Sequence, residues 1–204
     1  AMLGDVLQSA VNPDEQVEFA VYDVMRGQYP ADVSECDAYV ITGSRASVYD
    51  DDEPWIRQLE AYVRTLHDAR AKLVGICFGH QMVAQALGGA TEGAGVGWGV
   101  GISESAVVNP AAFMQPALDR FNLLVSHRDQ VTSLPPGATA HAGSCFCPVS
   151  MFTMGDHILA LQGHPEFIAG YSRVLMDMRR EILGEAVWAN GVASLDRRND
   201  RVIV

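Results

Sequence analysis

The stretch KLVGICFGHQMVAQALGG, residues 72–89, places a G-x-C-x-G core, Gly75-Ile76-Cys77-Phe78-Gly79, between an apolar run and a helical pattern. Leu73–Ile76 predicts a buried strand, and Gln81–Leu87 a helix stopped by Gly88-Gly89. A cysteine that only packs a core needs no glycine on either side, whereas one on a sharp strand-to-helix turn does. Strand, G-x-C-x-G, helix is the pattern of a nucleophile elbow with cysteine in place of serine. Such a turn projects the thiol clear of the sheet. It also sets the thiol at a helix N-terminus, where the dipole favours thiolate. The motif alone equally describes a buried structural cysteine beside incidental glycines, so its context has to decide.

Working outward, the rest of the chain reads as alternating strands and helices early and as more continuous β-structure later. Ala1–Val11 has helical spacing, with Met2, Val6 and Leu7 on one face. Val17–Val24 predicts a strand, and Ala38–Thr42 a buried strand running into a tight loop at Gly43-Ser44. Pro54 to about Ala71 predicts an amphipathic helix on Ile56, Leu59, Val63 and Leu66, opened by acidic residues and a proline. Gly93–Gly101 reads as a glycine-rich loop around Trp98. Val100–Val108 and Leu123–Ser126 predict strands, and Pro135-Pro136-Gly137 a turn. Cys145–Met154 and His157–Gln162 predict strands joined by a hairpin at Gly155-Asp156. Tyr171–Leu183 predicts a helix stopped by Gly184. This order implies an α/β domain with a mainly parallel central sheet and an antiparallel β insertion.

Composition narrows the function classes. The 204 residues suffice for one domain with a substantial core, and the 49% hydrophobic and 19% charged content is that of a soluble globular protein. A net charge of −11 disfavours nucleic-acid binding, and Arg197, Arg198 and Arg201 lie among aspartates as a solvated face. No apolar run approaches the length of a membrane span, and no signal peptide pattern opens the chain. Four cysteines, Cys36, Cys77, Cys145 and Cys147, do not form a disulfide framework, so a cytoplasmic location is expected. Cys145 and Cys147 on one strand face could bind metal or form a redox pair. Without further ligands nearby, paired core cysteines are the better reading, and no metal or cofactor is expected. His80 is read as structural, and His141 and His157 as surface or turn residues.

A thiolate nucleophile needs a base, and the base an orienting group. LQGHPEF, residues 161–167, supplies His164 and Glu166 after an apolar strand, with Pro165 stiffening the segment between them. A surface His-Pro-Glu turn is the alternative. GICFGHQ with a downstream GHPE resembles the class I, or triad, glutamine amidotransferase superfamily. YVITGS (39–44) and VSHRDQVTSLPPGA (125–138) are similar to two further segments of that family, and the four motifs stand in the family's order.

The resemblance implies a flavodoxin-like three-layer fold, with the site at the carboxyl ends of the strands. It also implies catalytic roles for Cys77 as nucleophile, His164 as base and acid, and Glu166 as its partner. Gly43 and Phe78 amides would form the oxyanion hole. Gln81, Ser126 and His127 would hold the amino-acid end of the substrate, and Trp98 would border the pocket or pack in the core. GICFGHQ, GWGVGIS and GDHILALQGHPEF look closest to stand-alone members, including γ-glutamyl peptidases. There Gly163 replaces an aromatic residue, which implies a wider mouth beside the histidine. The family's first strand is not seen before the opening helix, and the last segment stops abruptly at residues 200–204. One domain over residues 1–204, trimmed at its termini, is therefore expected. Three functions follow: a free-standing hydrolase of glutamine or γ-glutamyl amides, an ammonia-donating subunit of a separate synthetase chain, or a non-catalytic binding protein on the same fold.

Overall fold

The computed structural model describes residues 2–9, 11–12 and 14–201. A seven-stranded sheet forms its centre, in the order β1 (Ala38–Ile41), β2 (Lys72–Ile76), β9 (Ile158–Leu161), β8 (Met151–Met154), β7 (Ala138–Gly143), β4 (Gly99–Val107), β5 (Arg120–His127). A separate antiparallel pair joins β3 (Ala90–Gly93) to β6 (Asp129–Ser133). The α/β class and the flavodoxin-like arrangement are both present. The balance of the sheet is more antiparallel than expected: β1, β2 and β9 run parallel, and the remaining pairings are antiparallel. The β-rich second half therefore extends the central sheet itself. The physical reason is the short connections there, such as the Gly155-Asp156 turn between β8 and β9, which can only reverse the chain.

Helix α2 (Pro54–Asp68) starts on Pro54 and buries Trp55, Ile56, Leu59, Val63 and Leu66 as one stripe. Burial of that kind contributes about 1.5–3 kcal/mol per large side chain. The stripe packs with Phe78, Met82 and Val83 of α3 (Phe78–Ala86) against Leu73, Phe152, Ile158 and Ala160 of the sheet. Along β9, Ile158 and Ala160 face this cluster. The alternating Leu159 and Leu161 face a second cluster with Phe121, Leu123 and Met151. The sheet is thus buried on both faces, which explains why its strands read as continuous apolar runs.

Some elements differ from expectation. Val17–Val24 forms no strand; the segment is irregular up to a single 3-10 turn at Val24–Arg26. Phe19 and Val21 are 49% and 88% exposed, and without a partner ladder a period-2 pattern fixes nothing. The Cys145–Met154 strand shrinks to β8, because residues 144–147 close a turn through Ser144 N–H to Cys147 O and Cys147 N–H to Ser144 Oγ. The expected Ala1–Val11 helix is α1 (Met2–Ser9). The expected Tyr171–Leu183 helix is two, α4 (Ala169–Met178) and α5 (Arg180–Leu183), broken at Arg179. A further helix, α6 (Glu185–Ser194), was not foreseen. It packs on β4 through Ser194, whose Oγ accepts the Ile102 amide at 2.8 Å. The reading of residues 202–204 lies outside the described residues. No helix among the described residues is long and apolar enough to cross a membrane.

Candidate active site

The three parallel strands decide the site. Register pairs Ile41 with Gly75 and Ile76 with Leu161, so β1, β2 and β9 end together at one edge. The residues that follow those ends are Gly43, Cys77 and His164. A Cβ placed on Gly43 would stand 3.0 Å from His164 Cε1 and 3.8 Å from Cys77 Cβ, which measures how tightly the three meet.

Cys77 sits between β2 and α3 at φ 55°, ψ −100°, a backbone conformation rare for a side-chain-bearing residue. Its amide is tied to Leu161 O at 2.8 Å and its carbonyl accepts the Gln81 amide at 3.1 Å, so strand and helix together enforce the turn. The flanking glycines have a steric origin. A Cβ on Gly75 would lie 2.5 Å from the Gly79 carbonyl oxygen, and one on Gly79 would collide with the Ile41 carbonyl. The G-x-C-x-G spacing is therefore the condition for α3 to start directly behind the cysteine. Phe78 opens α3, so its amide is among those a helix leaves without an internal partner.

His164 is 4% exposed and Glu166 9%. Nδ1 of His164 lies 2.7 Å from Glu166 Oε1. The His164 ring stacks on Phe167 with centroids 3.8 Å apart and planes 9° from parallel, which fixes its tilt. The His164 amide donates to Leu124 O at 2.8 Å, anchoring the turn to β5. Burial alone would lower the imidazole pKa. The charge and hydrogen bonding of Cys77, then of Glu166, outweigh it and hold His164 at about 9. The arrangement stabilises an imidazolium beside the sulfur.

A cleft of about 240 Å³ opens over Cys77 and Phe78. It contains Gln81, Trp98, Ser126 and His127, four of the residues singled out in the sequence. Gln81 Nε2 donates to Asp129 O at 2.7 Å and to Gln162 Oε1 at 3.1 Å, so its amide nitrogen braces the β6 end of the cleft. His127 is neutral: burial lowers its pKa to about 4, and its Nδ1 lies 3.0 Å from Asp129 O. Sequence reasoning missed three contributors. The Asp129 carboxylate accepts from Ser47 Oγ and from Tyr49 OH, the latter at 2.9 Å, and so pins the loop after β1. Phe167 supplies the stacking surface. Arg179, at the helix break, enters the cleft from the α4 side. An arginine in an amphipathic helical run reads as a solvated face, so no signal marked it.

Other expectations need correction. Gly163 does not line the cleft: a Cβ there would meet Leu123 Cβ at 2.8 Å, so the glycine lets the segment after β9 approach β5 and does not widen the mouth. His141 is buried on β7, between Asn109 O at 2.7 Å and Thr153 Oγ1 at 2.9 Å. His157 does lie in the turn between β8 and β9, but it is buried there and stacked on His67, with Nε2 3.0 Å from His67 Nδ1. The structural reading of His80 needs no correction: it is fully buried beside Phe152, and burial lowers its pKa to about 3. Cys145 is exposed, whereas Cys147 is buried with its pKa raised to about 12, so the two do not form a paired core. Among the described residues no group of three His, Cys, Asp or Glu could hold a metal ion.

Residues 12–176 match the sequence pattern of the family described as glutamine amidotransferase class-I. γ-Glutamyl peptidase 2 of Arabidopsis thaliana is 31% identical over 160 residues, covering 76% of this chain and 64% of that protein. The chain thus spans a little under two thirds of that relative. The glutamine-hydrolysing GMP synthase of Thermomicrobium roseum is 34% identical over 128 residues, 62% of this chain and 23% of that protein. The crystal structure of a glutamine amidotransferase from Methylobacillus flagellatus superimposes with a TM-score of 0.82 at 23% identity, over 98% of this chain and 82% of that one.

Proposed function

The chain belongs to the class I glutamine amidotransferase family, and from that premise we propose that it hydrolyses the γ-carboxamide of glutamine or of γ-glutamyl compounds through a thioester on Cys77. The observation that carries the proposal is the strained Cys77 turn set against a buried His164–Glu166 pair at a common strand edge.

The geometry supports the following steps. The Cys77 thiolate attacks the γ-carbonyl carbon, and the developing oxyanion takes the amides of Gly43 and Phe78, an effect worth about 3 kcal/mol per donor. The imidazolium of His164 gives its proton to the leaving nitrogen as the C–N bond breaks, leaving a γ-glutamyl thioester. Water then attacks the thioester, His164 takes its proton, and the Cys77 thiolate departs as glutamate forms. Glu166 keeps the ring oriented and charge-balanced throughout. Ser126, His127 and Gln81 frame the amino-acid end.

A second reading has its own support. The similarity to part of a GMP synthase fits an ammonia donor that works with a synthetase chain. A hydrolysis screen of glutamine and γ-glutamyl amides with purified chain, beside Cys77→Ala, separates the two. Turnover by the chain alone, abolished in Cys77→Ala, supports the hydrolase. Turnover only after a synthetase is added supports the donor. Unchanged turnover in Cys77→Ala contradicts both.

A further inference from the structure

Arg45, Arg128 and Arg179 all border the cleft over Cys77. That is unexpected in a chain with 14 Lys and Arg against 25 Asp and Glu. Most arginines elsewhere are occupied by carboxylates: Arg64 by Glu60 at 2.6 Å and Arg180 by Glu185 at 2.7 Å, for example. Among the described residues neither Arg45 nor Arg179 has an acidic partner, and Arg128 reaches Asp129 only at 3.8 Å. The Asp129 carboxylate is already occupied by Ser47 and Tyr49. Three arginines against the one carboxylate of Asp129 leave the cleft lining with an excess of positive charge.

Of the three, Arg179 is the one held in place. It is half-buried at the break between α4 and α5, where φ −105°, ψ 9° ends one helix and starts the next. Its Nη1 donates to Ser126 Oγ at 3.0 Å, and its guanidinium lies 5.7 Å from the Trp98 ring centroid. A guanidinium has five N–H donors in a planar fork, and one contact of this kind leaves most of them free. A preorganised fork of this sort matches a carboxylate.

Resting on the hydrolase reading, we propose that Arg179 holds a carboxylate of the substrate seated over Cys77, so that the site selects anionic γ-glutamyl compounds. That carboxylate belongs either to the α-carbon of the γ-glutamyl half or to the leaving half.

The test compares wild type, Arg179→Met and Arg179→Lys on three substrates: γ-glutamylglycine, γ-glutamylglycinamide and the α-carboxamide of γ-glutamylglycine. Arg179→Met should lower kcat/KM on γ-glutamylglycine about 10–100-fold, the range of one charged hydrogen-bonded pair, and Arg179→Lys should recover part of it. The loss should shrink on one analogue only. If that is the glycinamide, the carboxylate lies on the leaving half; if it is the α-carboxamide, it lies on the glutamyl half. An equal loss on all three, or none, overturns the proposal. Calorimetric binding of γ-glutamylglycine to Cys77→Ala, with and without Arg179→Met, is independent of turnover. Weakened binding by the double variant in a protein that hydrolyses nothing would sink the hydrolase reading and leave the role of Arg179 standing. Unchanged binding would overturn that role in a protein that does hydrolyse.

Discussion

At Cys77 the backbone holds a side-chain-bearing residue at positive φ, a conformation that costs on the order of 1–3 kcal/mol and persists only where the surroundings enforce it. Strain of this kind has a measurable signature. Cys77→Gly should be more stable than Cys77→Ala by about 1 kcal/mol in urea unfolding, because glycine relaxes the turn, while both lack activity. If alanine is the more stable, the turn is not strained and the elbow reading weakens. His164→Ala should abolish thioester formation, whereas Glu166→Gln keeps the geometry, loses the charge and should be milder. Steady-state and single-turnover rates check both. Gly163 shows where a residue-level reading failed. A missing side chain beside a histidine suggested space for a leaving group, but the space is filled by Leu123. Gly163→Ala should therefore lower stability by about 1–3 kcal/mol, as overpacking does, and affect glutamine and larger γ-glutamyl amides alike.

Among the elements, those most visible in the sequence were those whose pattern is enforced on both sides. The α2 stripe, the β2 run and the Gly155-Asp156 hairpin were all visible, because burial dictates their periodicity. So were the ends of β2 and β9, which is why Cys77 and His164 could be read from the residues, whereas the role of Gly43 came from the family resemblance alone. The segment at residues 17–24 has an alternating pattern with no ladder to use it. Helix α6 has small residues where a stripe would be expected, since Gly191 and Ser194 must let β4 approach. The break at Arg179 has no proline or glycine to announce it, so the cleft arginine was invisible. The elbow makes an element-scale demand as well. Gly79→Ala drives a methyl into the Ile41 carbonyl, so α3 must move away from β1. We expect a loss of about 2 kcal/mol or more in urea unfolding and a fall in activity larger than dilution of folded protein explains. Wild-type stability in that variant would contradict the packing described.

For the whole molecule, three buried histidines set opposing pH limits. His164 has a folded pKa of about 9, above the ~6.5 of an unfolded histidine. Its contribution to stability is full below about 6.5 and is lost as pH rises through about 9. His80 and His127 are depressed to about 3 and 4, so theirs is present above about 6.5 and is lost as pH falls through those values. Urea midpoints should thus peak near neutrality and fall on both sides, and His80→Leu should flatten the acid side. Under the proposed mechanism activity should also decline above about pH 9, where His164 would no longer carry the proton for the leaving nitrogen. The most direct measurement is a rapid acid quench of purified chain mixed with a γ-glutamyl amide, followed by intact mass and peptide mapping. The expected result is an added γ-glutamyl group on the peptide containing Cys77, accumulating in Glu166→Gln and absent in Cys77→Ser. Turnover without any such adduct, or an adduct on Cys36, Cys145 or Cys147 instead, would contradict a thioester at the strand edge.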